Sequence, residues 1–197
     1  MKTRPYTQTR RAEAAAATAT RLIDAVAELF LESGDMPTLD AVAQRAGVTV
    51  QTILRRFGSK EGLLAAAFEA YRQRIADRRD QAPVGDVDGA VQNLGEHYSE
   101  SADVALRLLA IEGASPTAAE ATRQARAVHR AWVERVFAPF LAPLDGAERE
   151  RRVVQAVVLT DVYVWKLLHR DLALSRAETE ATIADLVRRA LTPQGVL

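Results

Sequence analysis

The chain has no cysteine among its 197 residues, which excludes disulfides, thiol catalysis and any thiolate metal site. Histidine is scarce as well. His97, His129 and His169 lie far apart, without HxxxH or HExxH spacing, so no bound metal is expected. Long apolar runs are also missing. The longest such stretch, VVQAVVLTDVYVWKLL, is interrupted by Gln155, Asp161 and Lys166 and is too short and polar to cross a bilayer. Lys2 and Arg4 are followed by PYTQTRRAE rather than an apolar segment, so no signal peptide is expected. There is no strand-like alternation, internal repeat or glycine-rich phosphate loop, and no nucleophile patterned with a base. Together these absences predict a soluble, cytoplasmic, all-α protein without cofactor, and they argue against an enzyme.

Net charge is absent too, but only in sum. Residues 1–60 carry nine Lys/Arg (Lys2, Arg4, Arg10, Arg11, Arg21, Arg45, Arg55, Arg56, Lys60) against six acids (Glu13, Asp24, Glu28, Glu32, Asp35, Asp40). The remainder holds 17 basic and 20 acidic residues. A basic head on a mildly acidic body suits DNA better than a membrane surface. With 48% hydrophobic residues the chain is globular and long enough to bury a sizeable core.

The informative stretch is TLDAVAQRAGVTVQTILRRFGSKEGLL, residues 38–64. Thr38 is an N-cap, after which Leu39, Val42, Ala43 and Ala46 share one helical face. Gly47 ends that helix because glycine accepts positive φ. Thr49 caps a second helix in which Ile53 and Phe57, four residues apart, point inward. Gly58 ends it, and Ser59 with Glu61 opens a third. This is the pattern of a helix-turn-helix, although an ordinary αα-hairpin has the same outline. The outer face of the second helix separates the two. It carries Val50, Gln51, Leu54 and Arg55, with Arg56 alongside. Glutamine can bond two atoms of adenine's major-groove edge and arginine two of guanine's, while Val50 and Leu54 suit thymine methyls. Packing of Leu54 against another helix is the bland alternative.

From Leu39 to Leu64 the sequence closely resembles the DNA-binding domain of the tetracycline-repressor (TetR) family. The matching residues are Ala43 and Gly47, the Val48-Thr49 opening, and the ending Phe57-Gly58-Ser59-Lys60-Glu61. The resemblance places Thr49 and Lys60 on DNA phosphates, and Arg56 and Thr38 are expected there as well. One position departs from the pattern: many members have a phosphate-touching aromatic where this chain has Leu54. The resemblance is strong over residues 10–70 and loose beyond. It implies a palindromic double-stranded DNA operator, a homodimer, a small-molecule effector and a role as a repressor. A helical adaptor whose second helix binds a protein partner is the rival reading.

The expected organisation is a head over 1–58 with a flexible arm at 1–9, a connector helix over 59–80, and a ligand-binding and dimerisation body over 81–197. In the arm, Arg4, Arg10 and Arg11 are candidates for a minor groove or a phosphate backbone. A long first helix is predicted from about Arg10 to Ser33, with Ile23, Val26, Ala27 and Phe30 inward. Body helices are predicted at 88–101, 104–111, 115–137 and 147–169, and a capping box, Ser175 with Glu178, opens the last. His97, Tyr98, Trp132, Asp161 and Tyr163 are the candidate pocket residues. Val158, Trp165, Ile183, Leu186 and Val187 are the candidate dimer contacts. Asp161 sits inside an apolar stripe. It pairs across the dimer, binds a cationic ligand or reaches solvent, and the sequence does not choose.

Overall fold

The computed structural model describes residues 4–192, with side chains from residue 14 onward. Among the described residues every regular element is a helix. Two compact units form, Met1–Tyr71 and Arg72–Leu197. The division falls inside a helix, not at the Pro83-Gly85 loop.

The head consists of α1 (Arg4–Ser33), α2 (Leu39–Ala46), α3 (Val50–Phe57) and the start of α4 (Lys60–Arg79). Its core is Leu22, Ala25, Val26, Val42, Ala43, Ala46, Ile53, Leu63, Leu64 and Ala67. Small alanines at 43 and 46 let α2 lie close to its neighbours, while Leu22 and Ile53 are completely enclosed. α1 starts at Arg4, earlier than expected. Residues 4–9 of the presumed arm are therefore helical, because Pro5 sits in the first turn, where its missing N–H costs nothing. Residues 1–3 and the side chains of Arg4, Arg10 and Arg11 lie outside what is described. On α1 the inward stripe is Leu22, Ala25, Val26 and Phe30, and Ile23 and Ala27 are only half-buried.

The body contains α5 (Val87–Ile111), α6 (Pro116–Val136), α7 (Ala138–Leu141), α8 (Gly146–Leu159), α9 (Val162–Lys166), a π-helical turn (Leu167–Asp171) and α10 (Arg176–Leu191). α5 packs against α6, α9 and α10, and α8 against α6 and α10. Trp165, Phe137, Leu94, Leu141 and Ile183 are the largest fully enclosed side chains of this core.

Two expectations are corrected here. The helices predicted at 88–101 and 104–111 are a single helix, α5. Ser99 and Ser101 do not break it, because each hydroxyl donates back to the carbonyl four residues earlier, Gly95 O and His97 O. Conversely, the helix predicted over 147–169 is interrupted at Thr160–Asp161. Asp161 caps α9, accepting from Tyr163 N at 2.9 Å. The break leaves the Thr160 carbonyl free, and the Tyr98 hydroxyl donates to it at 2.9 Å. Asp161 is thus a half-buried N-cap and not an unpartnered acid in an apolar stripe.

Candidate nucleic-acid interface and the polar cluster of the body

Helix α3 is set by its ends. Gly47, with φ 67°, closes α2, and the next amide, Val48 N, donates to Ala43 O at 3.0 Å. Thr49 is extended and its hydroxyl oxygen accepts from Thr52 N at 3.2 Å. Gly58, with φ 77°, ends α3, and the Ser59 hydroxyl then caps α4 by accepting from Gly62 N at 3.0 Å. Thr38 caps α2 in the same way, accepting from Ala41 N at 3.2 Å. These three caps are neutral hydroxyls. In the body, by contrast, carboxylates cap α5, α8 and α9 through Asp86, Asp145 and Asp161.

A hydroxyl that caps by accepting keeps its own proton. Thr38 and Thr49 are both exposed, so each has a proton to offer an anion arriving at a helix N-terminus. Thr49 Oγ1 also lies 3.0 Å from Thr52 Oγ1. If Thr52 donates in that pair, the Thr49 proton remains free.

Ile53 is fully buried and Phe57 half-buried, which turns Gln51, Leu54, Arg55 and Arg56 outward. Gln51 and Arg55 are one turn apart. Leu54 is 39% exposed and, among the described residues, is not one of the side chains packed on the head core. Val50 differs from its expected role as a freely presented apolar contact: it is half-buried and packs partly against the head core. Arg56 folds back, its Cζ 5.8 Å from the centre of the Phe57 ring. Among the described residues Arg55, Arg56 and Lys60 have no carboxylate partner, whereas Arg45 has two. Arg45 bonds Glu32 at 2.7 Å and Glu28 at 3.0 Å. It holds the Glu32 carboxyl below the usual range, and both acids, Glu32 foremost, push Arg45 upward. Arg45 therefore joins α2 to α1 and is spent on the fold.

In the body, three of the five candidate pocket residues come together and two do not. His97, Tyr98 and Trp132 are buried around a residue the sequence reading passed over, Arg79, which is only 6% exposed. Tyr163 is 55% exposed and is no pocket residue, since the break before α9 rotates it outward. Asp161 is occupied as a cap. His129 belongs to the cluster: Arg79 NH1 lies 3.2 Å from its Nδ1, and Thr160 Oγ1 3.1 Å from its Nε2. Burial, reinforced by the nearby Arg79 charge, lowers His129 to about 3 and His97 to about 2. Tyr98 is pushed up to about 12 by burial, against the pull of Arg79. The signal for Arg79 was its spacing. Leu64, Phe68, Ile75 and Arg79 recur at helical intervals, but the surrounding run of charges reads as a solvated face.

The dimer candidates also divide. Trp165, Ile183 and Val187 are at most 1% exposed and fill the body's own core, so they are corrected from contacts to core. Val158 and Leu186 are 55% and 38% exposed, and Val154, one turn before Val158, is 46% exposed. Among the described residues no group of three potential metal ligands forms, and no helix is long and apolar enough to cross a membrane.

Residues 22–67 match the family model for bacterial regulatory proteins of the tetR family. Comparison with curated proteins gives no match. Among solved structures, the fold is similar to a transcriptional regulator from Rhodococcus sp. Rha1, with a TM-score of 0.69 and 20% identity over 88% of this chain and 95% of that one. It is also similar to a tetR-family transcriptional regulator from Streptomyces coelicolor, with a TM-score of 0.66 and 20% identity over 89% of each chain. At this identity the likeness concerns the fold, and the family match concerns the head: residues 22–67, with their helix-turn-helix, are similar to the N-terminal domain of bacterial tetR-family regulatory proteins.

Proposed function

We propose that the protein is a ligand-responsive repressor that binds a palindromic operator as a homodimer and leaves it when a small molecule occupies the body. One observation carries this reading. The exposed face of α3 presents Gln51, Leu54 and Arg55 without a side-chain hydrogen bond or ion pair among the described residues, flanked by the proton-bearing caps Thr38 and Thr49. Arg55 and Gln51, with Leu54 and the outer part of Val50, are assigned to base edges. Thr38, Thr49, Arg56 and Lys60 are assigned to phosphates. A single eight-residue reading helix covers few base pairs, so useful specificity calls for two half-sites on a twofold axis. The exposed Val154, Val158 and Leu186, on the adjacent helices α8 and α10, supply a self-complementary apolar face for that axis. Release follows if the effector binds better to a head spacing that misfits the operator.

The test is a mobility shift with footprinting on DNA upstream of the protein's own gene, at several salt concentrations. Two phosphate-binding cations per protomer, Arg56 and Lys60, predict a log–log salt slope of about −4 for the dimer. A footprint covering a palindrome with that slope is the expected result. Equal, weak binding to random DNA would remove the sequence-specific reading. The exposure of Leu54 favours one rival, a helical adaptor that docks a protein partner through α3. Such an apolar contact would persist in high salt.

A further inference from the structure

The interior of the body holds a cation without an anion. Arg79 closes α4, is 6% exposed, and has no carboxylate partner among the described residues. The side chains against its guanidinium, His129, Tyr98 and Trp132, are neutral. His129 must accept at Nδ1, because guanidinium nitrogens only donate, so its proton sits on Nε2 toward Thr160 Oγ1 at 3.1 Å and Val157 O at 3.3 Å. The Thr160 hydroxyl in turn donates to Ala156 O at 2.6 Å. His97 and Tyr98 are held uncharged by burial as well. The aromatic rings of Trp132 and Tyr98 flank the guanidinium, 5.6 and 5.9 Å from its Cζ, which offsets part of its desolvation.

Two buried polar atoms of this cluster have no partner, Arg79 Nε and Trp132 Nε1. Both are obligate donors. A fold that needed only packing here would be served better by an apolar side chain, since an uncompensated buried charge is costly. A single positive charge with two vacant donors matches a monoanion bearing two acceptor oxygens. A phosphate dianion would leave one negative charge uncompensated in an apolar interior.

We propose that Arg79 and Trp132 form the receptor for the carboxylate of a small, ring-bearing or otherwise apolar acid, whose body lies against Tyr98 and Trp132. This rests on the ligand-responsive reading of the body and names its ligand class. Arg79 fixes the charge, the Trp132 indole N–H fixes the orientation, and His129 presents its acceptor face to Arg79 and so holds the guanidinium in place.

The experiment uses the full chain without DNA, so its outcome is independent of whether an operator is bound. Benzoate and phenylacetate are titrated as sodium salts, with benzyl alcohol as the neutral ring and sodium chloride at matched ionic strength as controls. Thermal melting is followed together with the fluorescence of a Trp165→Phe variant, in which Trp132 is the one remaining tryptophan of the two. The expected result is a saturable rise in melting temperature and a change in Trp132 emission with the carboxylates alone. Arg79→Met should melt no lower than wild type and lose the response. Trp132→Phe, which keeps a ring and loses the N–H, should weaken benzoate about tenfold by melting shift. No saturable response to either acid, a response equalled by chloride or benzyl alcohol, or an undiminished response in Arg79→Met would each overturn the proposal.

Discussion

The head and the body use arginine in opposite ways. On α3, Arg55 and Arg56 stand without a carboxylate among the described residues. In the body, arginines on successive helices are tied across helices to acids: Arg78 to Glu100, Arg126 to Glu112, Arg130 to Glu150, Arg170 to Asp103 and Arg188 to Asp88. Each unit also holds a contrary case. Arg45 is paired in the head and serves the fold, and Arg79 is unpaired in the body and awaits a ligand. The lesson is that net charge says little about an interface, whereas the pairing of each cation says what it is left free to do.

The comparison sharpens most strongly in acid. All three histidines lie in the body, and the folded-state values of His129 and His97 fall to about 3 and about 2. The unfolded chain binds their protons near pH 6.5, so the stability these neutral rings confer is complete above that pH. It is lost progressively as pH falls toward 3, and each unit of separation is worth about 1.4 kcal/mol. Body tryptophan fluorescence should therefore collapse at a higher pH than the helical signal of the head, and coincident transitions would break the distinction. Next in size is Arg55→Ala, which should cost about 1–3 kcal/mol of operator binding and relax preference at one base pair. Unchanged affinity and preference on a panel of single-base operator variants would remove Arg55 from the reading set. Lys60→Ala should weaken all DNA sequences alike and reduce the salt slope by about 1 per protomer. The smallest effect on DNA is expected from Arg45→Gln, which removes the same charge from the head as a change at Arg55. It should lower the melting temperature slightly and leave base preference intact, as read in the same operator panel. A loss matching that of Arg55→Ala would show that pairing is no guide to role.

The head was legible in the sequence because its determinants are local. Gly47, Thr49, Ile53, Phe57 and Gly58 set both ends and the inner face of α3 within twelve residues, and the Ser175–Glu178 capping box likewise marked the start of α10. The interruption at Thr160–Asp161 was hidden because apolar spacing continues through it. What compensates it is the Tyr98 hydroxyl, 62 residues away in the chain. Arg79 was hidden by its neighbours Arg78 and Asp80, since its burial depends on where Tyr98, His129 and Trp132 arrive from α5 and α6. Trp165, Ile183 and Val187 show a further limit. An apolar stripe reports that a face is covered, and not whether the cover is its own chain or a second copy.

The neutral caps of the head set a boundary for anyone wishing to harden this protein against heat. Aspartate caps a helix at least as well as threonine and adds a favourable charge at its N-terminus, as Asp86, Asp145 and Asp161 do in the body. Introduced at Thr49 or Thr38, it would set a like charge against the DNA phosphates that we propose these caps bind. The body can thus be engineered for stability at its helix starts, while the same improvement in the head would yield a sturdier protein that no longer holds its operator.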